Sequence, residues 1–183
     1  MGGFADAAMK INRIRTEIEA GMTIRSKLVG SDLAALVAGR VRSKGVDAKL
    51  SPFSKYSKAV VPAFFYIGRS RSAGADSRIQ DLAAQGQLIS YELFRQINGL
   101  KVDKKNFEFT GKMWQAFNVL EVTVSGKVIN IRVGGTDSRS AFLIQAHSDR
   151  EKINIVEASL QELKLIEQTF FDWFNEIFQK HAA

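Results

Sequence analysis

Two histidines, no cysteine and a scatter of serines and carboxylates are what this 183-residue chain offers for chemistry. His147 stands beside Ser148 and Asp149, the residue types of a hydrolytic triad. Three neighbours in sequence rarely face one another, and no G-x-S-x-G nucleophile elbow occurs anywhere. His147 therefore reads as a surface or structural residue, and His181 as part of a frayed end. Without cysteine there is no thiol catalysis, disulfide framework or thiolate metal site. The glycines of "VGGTD" (133–137) lack a lysine at Walker spacing and a helix start at dinucleotide spacing, so they read as a turn rather than a phosphate cradle. The pairs Glu157 with Glu162 and Glu167 with Asp172 read as solvated or capping charges of a helix. No catalytic residue, metal ligand or cofactor is expected.

Charge offers a second kind of function. Lys and Arg outnumber Asp and Glu by 26 to 19, a net +7, which permits weak attraction to nucleic acid or to an acidic partner. The excess is diffuse. Its one concentration is "GRSRSAGADSR" (68–78), where Arg69, Arg71 and Arg78 sit in a Gly/Ser-rich loop without interleaved aromatics, a candidate contact for DNA or an acidic partner. With 45% hydrophobic and 25% charged residues the composition is globular. The longest apolar run, "AVVPAFFYI" (59–67), falls far short of the roughly 20 residues of a spanning helix. No secretory signal opens the sequence, so a cytoplasmic birth and no membrane partner are expected.

The elements that must position these groups form a single α+β domain over 1–183. Ala8, Ile11, Ile14, Ile18 and Met22 recur at helical steps across 5–22. A second helix is predicted over 32–44, capped by Ser31, with Leu33, Leu36, Val37 and Val41 as its apolar face and Gly45 as a left-handed stop. Irregular text follows, with both prolines and one short strand near 64–67. Helical spacing returns from Ile79 to Ile97, interrupted by Gly86 and closed by Asn98-Gly99. Leu120, Val122 and Val124, then Ile129, Ile131 and Val133, alternate on either side of Ser125-Gly126 and predict a hairpin over 118–133. Residues 140–148 fit a fourth strand or a short helix equally.

The last element is the strongest. Ser159 to Glu162 has capping-box form, and Leu163, Ile166, Phe170, Trp173, Phe174 and Ile177 lay down one apolar face. Phe171 and Phe178 lie well around the wheel. A membrane-surface helix is disfavoured because Glu167, Asp172 and Glu176 occupy the polar face. A protein interface at Phe171 and Phe178 competes with plain core packing.

"FEFTGKMWQAF" (107–117) joins the two halves. Phe107 and Phe109 fall on one face of a predicted third strand, Thr110-Gly111 turns the chain, and Met113, Trp114 and Phe117 follow at helical spacing. Gly111 is free to take a positive φ there, and the three large side chains plug the space between sheet and helices.

This stretch resembles the strand, T-G-x-M/L and short helix of phage virion-morphogenesis and tail-completion proteins, the head-tail joining components of tailed bacteriophages. Upstream, Gly45, Phe53, Tyr56 and Ser57 are similar to that family's helix end, glycine and F-x-x-Y-S segment. Downstream, Arg150 and "VEASLQELKLI" (156–166) look like the arginine and S-x-x-E helix start that close its sheet. Residues 58–106 are longer than the family's connection and read as an insertion. The resemblance implies an antiparallel sheet of three to four strands with a central hairpin, packed by N-terminal helices and a long C-terminal helix. It further implies a non-enzymatic subunit of a ring at the virion neck or upper tail. That subunit would be made and assembled in the host cytoplasm and would contact other neck, connector or tail proteins and, non-specifically, DNA in the lumen. The alternative is a basic nucleic-acid-binding module.

Overall fold

The computed structural model describes residues 3–108, 110–126 and 128–182. The chain is α+β, with a long helix at each end. Helix α1 (Gly3–Gly39) runs without interruption for 37 residues, about 55 Å at 1.5 Å per residue. It ends in a π-helical turn, Arg40–Lys44, and stops at Gly45, whose φ of 68° is the left-handed cap expected of it. The two separate helices predicted over 5–22 and 32–44 are therefore one. Nothing between them breaks the backbone, and Ser31 donates its hydroxyl to Lys27 O inside the helix instead of capping a new one. Two glycines in this helix are seats for neighbours. A Cβ at Gly30 would meet Ile131 Cγ2 and Val119 Cγ2 at 2.8 Å each, and one at Gly21 would meet the Trp173 ring at 2.8 Å.

The predicted sheet of three to four strands is replaced, among the described residues, by two antiparallel pairs. Strand β1 (Val60–Pro62) pairs with β2 (Leu88–Ser90), and β3 (Phe117–Ser125) with β4 (Val128–Gly135). Between β1 and β2 lie a 3-10 turn, Ala63–Tyr66, and helix α2 (Ala73–Ala84); α3 (Tyr91–Ile97) follows. The short strand expected near 64–67 thus falls a few residues earlier. The helix expected from Ile79 to Ile97 divides because Gly86, at φ 65°, turns the chain back so that β2 can reach β1. In the hairpin, a register shift between Val119 and Glu121 makes Leu120 an extra residue. The expected alternation through Leu120 consequently changes phase: Val119 faces Gly30 of α1, while Leu120 lies over Gly134 on the other face.

The expected strand at Phe107 is a loop, because Phe107 takes φ 51° and leaves the extended region; Phe109 lies outside the described residues. A one-turn helix α4 (Lys112–Gln115) precedes β3. Residues 140–148 fall within a helix, α5 (Ser138–Glu151), and α6 (Leu160–Ala182) ends the described chain.

Two apolar clusters result among the described residues. In the larger, Val29, Leu33, Val37 and Val41 of the first helix and its π-helical end meet Phe53, Trp114, Phe117, Ile144 and Ile166. The smaller gathers Ala63, Ile79, Ile89 and Phe94, and is built wholly from 63–97. Helix α6 returns antiparallel along α1: Arg40 meets Glu162, Arg25 donates to Thr169 O, and Glu17 meets Lys180 and His181.

Candidate functional site

The turn ahead of α4 positions the heaviest aromatic as the sequence requires. Gly111 caps α4 at φ 80°, and Met113, Trp114 and Phe117 are all buried, with the Trp114 and Phe117 rings edge to face at 5.7 Å. Exposed Thr110 serves the turn, its hydroxyl accepting the Lys112 N–H. Trp114 Nε1 donates to the carbonyl of Asn106, a buried residue that sequence reasoning passed over. Asn106 is a junction. Its Oδ1 accepts from the Tyr56 hydroxyl, Arg95 Nη2 and the Glu108 N–H, while its own N–H donates to the Tyr56 oxygen. An asparagine in a polar run carries no periodic signal, whereas its partners Tyr56 and Trp114 each belong to a motif.

Beside this junction opens a cleft of about 470 Å³, lined among others by Tyr56, Tyr66, Tyr91, Arg95, His147 and Arg150. Arg95 is 1% exposed, its guanidinium lies 4.1 Å from the Tyr56 ring centre, and it donates to Lys101 O, Glu108 O and Asn106 Oδ1. Lys105, also in the lining, donates through Nζ to Glu151 Oε1 and Ser54 Oγ, both at 2.6 Å. Burial pushes Glu151 up, but the hydrogen bonds from Lys105 and from the Ser54 N–H and hydroxyl together outweigh it and hold the carboxyl below its usual range. Burial, with Arg150 and Lys105 nearby, lowers His147 to about 4, so its imidazole is neutral at pH 7. Its ring packs against Phe107 at 4.8 Å.

No hydrolytic triad forms around it. Ser148 donates to Ile144 O within α5, and Asp149 accepts from Gln145. Among the described residues no cluster of three His, Asp or Glu is placed to hold a metal, and no helix is long and apolar enough to cross a membrane. His181, expected to fray, lies 2.7 Å from Glu17. The "VGGTD" glycines are not a turn: they end β4, and Asp137 caps α5 by accepting the Ser140 N–H and hydroxyl. A Cβ at Gly135 would meet Ala141 N at 2.5 Å, so this glycine lets the helix approach the strand. Glu162, expected on the surface, does close the capping box with Ser159, yet it is buried and its other oxygen receives Arg40 Nε at 2.9 Å.

The surface candidates do not line the cleft. Arg69, Arg71 and Arg78 are exposed, but 68–78 is only partly loop, since Ser72 caps α2 and Asp76 accepts the Gly68 N–H. Phe171 and Phe178 are 53% and 51% exposed on α6. Phe178 borders an apolar hollow with Ile11, Ile14 and Ile18 of the first helix.

No protein-family model matches the chain, and no curated protein or solved structure matches it either.

Proposed function

We propose that the chain is a non-enzymatic structural protein of a tailed bacteriophage virion, a head-tail joining or tail-completion subunit acting as part of a ring at the neck or upper tail. The observation that carries the reading is the outer half of the α1/α6 pair. There two helices alone must cover each other, and they leave Phe4, Ile11, Phe171 and Phe178 largely in water. Soluble monomers seldom keep contiguous apolar patches beyond a few hundred Å². A neighbouring copy would cover this one.

Two further features support it. The ordered motifs of the tail-completion resemblance include Trp114, Met113, Tyr56 and Glu162, which are buried here. Both outer edges of the β3–β4 hairpin lack a third strand among the described residues. Such edges accept a strand from another chain, so a sheet of three to four strands would be completed between subunits. The 58–106 insertion, with its own small cluster, would then touch an adjoining neck, connector or tail protein.

Light scattering on the purified protein, with negative-stain microscopy, tests this. Annular oligomers, alone or with connector proteins, are expected. A chain that stays monomeric at every concentration and binds no virion component overturns it. The second reading, a nucleic-acid-binding module, draws on exposed Arg69, Arg71 and Arg78 and the net +7. Binding to arbitrary DNA that falls steeply with salt would favour it, because phosphate contacts release counterions.

A further inference from the structure

The ring reading leaves the tyrosine-lined cleft unused, and its charge is unbalanced. Arg95, almost wholly buried, is held by neutral acceptors only. The two carboxylates nearby are engaged elsewhere: Glu151 with Lys105 at 2.6 Å, and Glu108 with Arg42 at 3.4 Å. Lys55 and Arg150 line the same cleft, are exposed, and make no ion pair among the described residues. With Lys55, Arg95, Lys105 and Arg150 against Glu108, the lining is net positive and attracts an anion into the cleft.

Five aromatic rings, Tyr56, Tyr66, Tyr91, Phe107 and His147, also line the cleft. Tyr56 and Tyr91 meet edge to face at 5.8 Å, Tyr66 lies 6.5 Å from Tyr91, and Phe107 is held at a positive φ between Phe53 and His147. Strained backbone of this kind persists where surroundings over-determine it, often at ligand clamps. At about 470 Å³ the cleft has the size of a small-ligand site, for which roughly 300–1,000 Å³ is usual.

We propose that this cleft binds a small planar aromatic anion, its ring against the tyrosines and its phosphate or carboxylate against Arg150 and Lys55. Aromatic walls recognise flat π-systems, and the cations beside them select negative charge. The site is independent of whether the protein forms rings.

Isothermal titration calorimetry with adenosine monophosphate, 4-hydroxybenzoate, adenosine and inorganic phosphate tests it. At least one of the two aromatic anions binds, and which one identifies the headgroup. Arg150→Ala and Lys55→Ala change exposed side chains, so both variants melt as the parent does. Each weakens binding by about tenfold, as loss of a charged hydrogen bond implies. Arg78→Ala, outside the cleft, leaves it unchanged. Failure of both anions to bind at millimolar concentration overturns the proposal. So does adenosine or inorganic phosphate binding as tightly as the monophosphate, or parental affinity in both variants.

Discussion

Arg40 and Glu162, just past the C-terminal end of α1 and in the first turn of α6, form a buried ion pair in which one carboxylate does two jobs. Its Oε1 receives Arg40 Nε at 2.9 Å and its Oε2 receives the Ser159 N–H at 2.7 Å. The remaining Arg40 donors reach Val46 O and Glu157 O. One side chain thus joins the end of the first helix to the loop after it and the start of the last.

Removing either partner leaves the other charged and dry. Glu162→Ala should cost about 3–5 kcal/mol in urea unfolding, with the lost cap included in the upper part of that range. The exposed Arg15–Glu19 pair is the control: Glu19→Ala should leave the urea midpoint close to the parent's. Equal effects at both sites would refute the burial argument.

Glycines in the first helix should respond in opposite directions. Gly30→Leu drives a side chain into Ile131 and Val119 and should destabilise by about 1–3 kcal/mol or more. Gly39 has helical angles and open space where a methyl group would stand, with nothing within 4 Å, so Gly39→Ala should stabilise by about 0.5–1 kcal/mol. Thermal melts of the two variants beside the parent decide it.

His147 makes stability fall in mild acid. Its folded value of about 4 lies below the usual 6.5, so between these pH values the unfolded chain binds a proton that the folded chain does not. Stability is fully present above pH 6.5, declines as pH falls towards 4, and is level below for this group. Glu151, held below its usual value, adds loss only as pH drops beneath its unfolded range. His147→Phe should flatten the upper part of the denaturation profile and leave the lower part. A parent profile already flat between pH 6.5 and 4 would contradict the burial of this ring.

Assembly and folding should separate at the exposed aromatics. Phe178→Asp and Phe171→Asp alter side chains about half in water, so monomer stability should move by no more than about 1 kcal/mol. The assembled mass in light scattering should drop. Loss of fold with unchanged assembly would place these rings in the core instead.

Much of this architecture is legible in local pattern. The capping box at Ser159 and Glu162, the left-handed stop at Gly45 and the exit at Gly111 each depend on a few adjacent residues, and each lies where the sequence puts it. What escaped depends on partners distant in sequence. Whether Ser31 caps a helix or rides inside one is decided by Gly30 docking on Val119 and Ile131. The phase of the hairpin is set by the extra residue at Leu120. The cleft was invisible for the same reason: Tyr56, Arg95 and His147 come from three separate stretches, and Asn106, which ties two of them together, has no sequence signature.

The π-helical turn at Arg40–Lys44 carries one more residue than α-helical winding would hold over the same rise. Deleting Ser43 should let the turn rewind as regular α-helix and leave the exit at Gly45 pointing close to its present direction. Chain length that most proteins accommodate in a loop is stored here inside a rod, beginning at the guanidinium that clasps the final helix. The spot is therefore a built-in slack point, able to give up a residue without re-aiming what lies downstream or disturbing the upstream shaft.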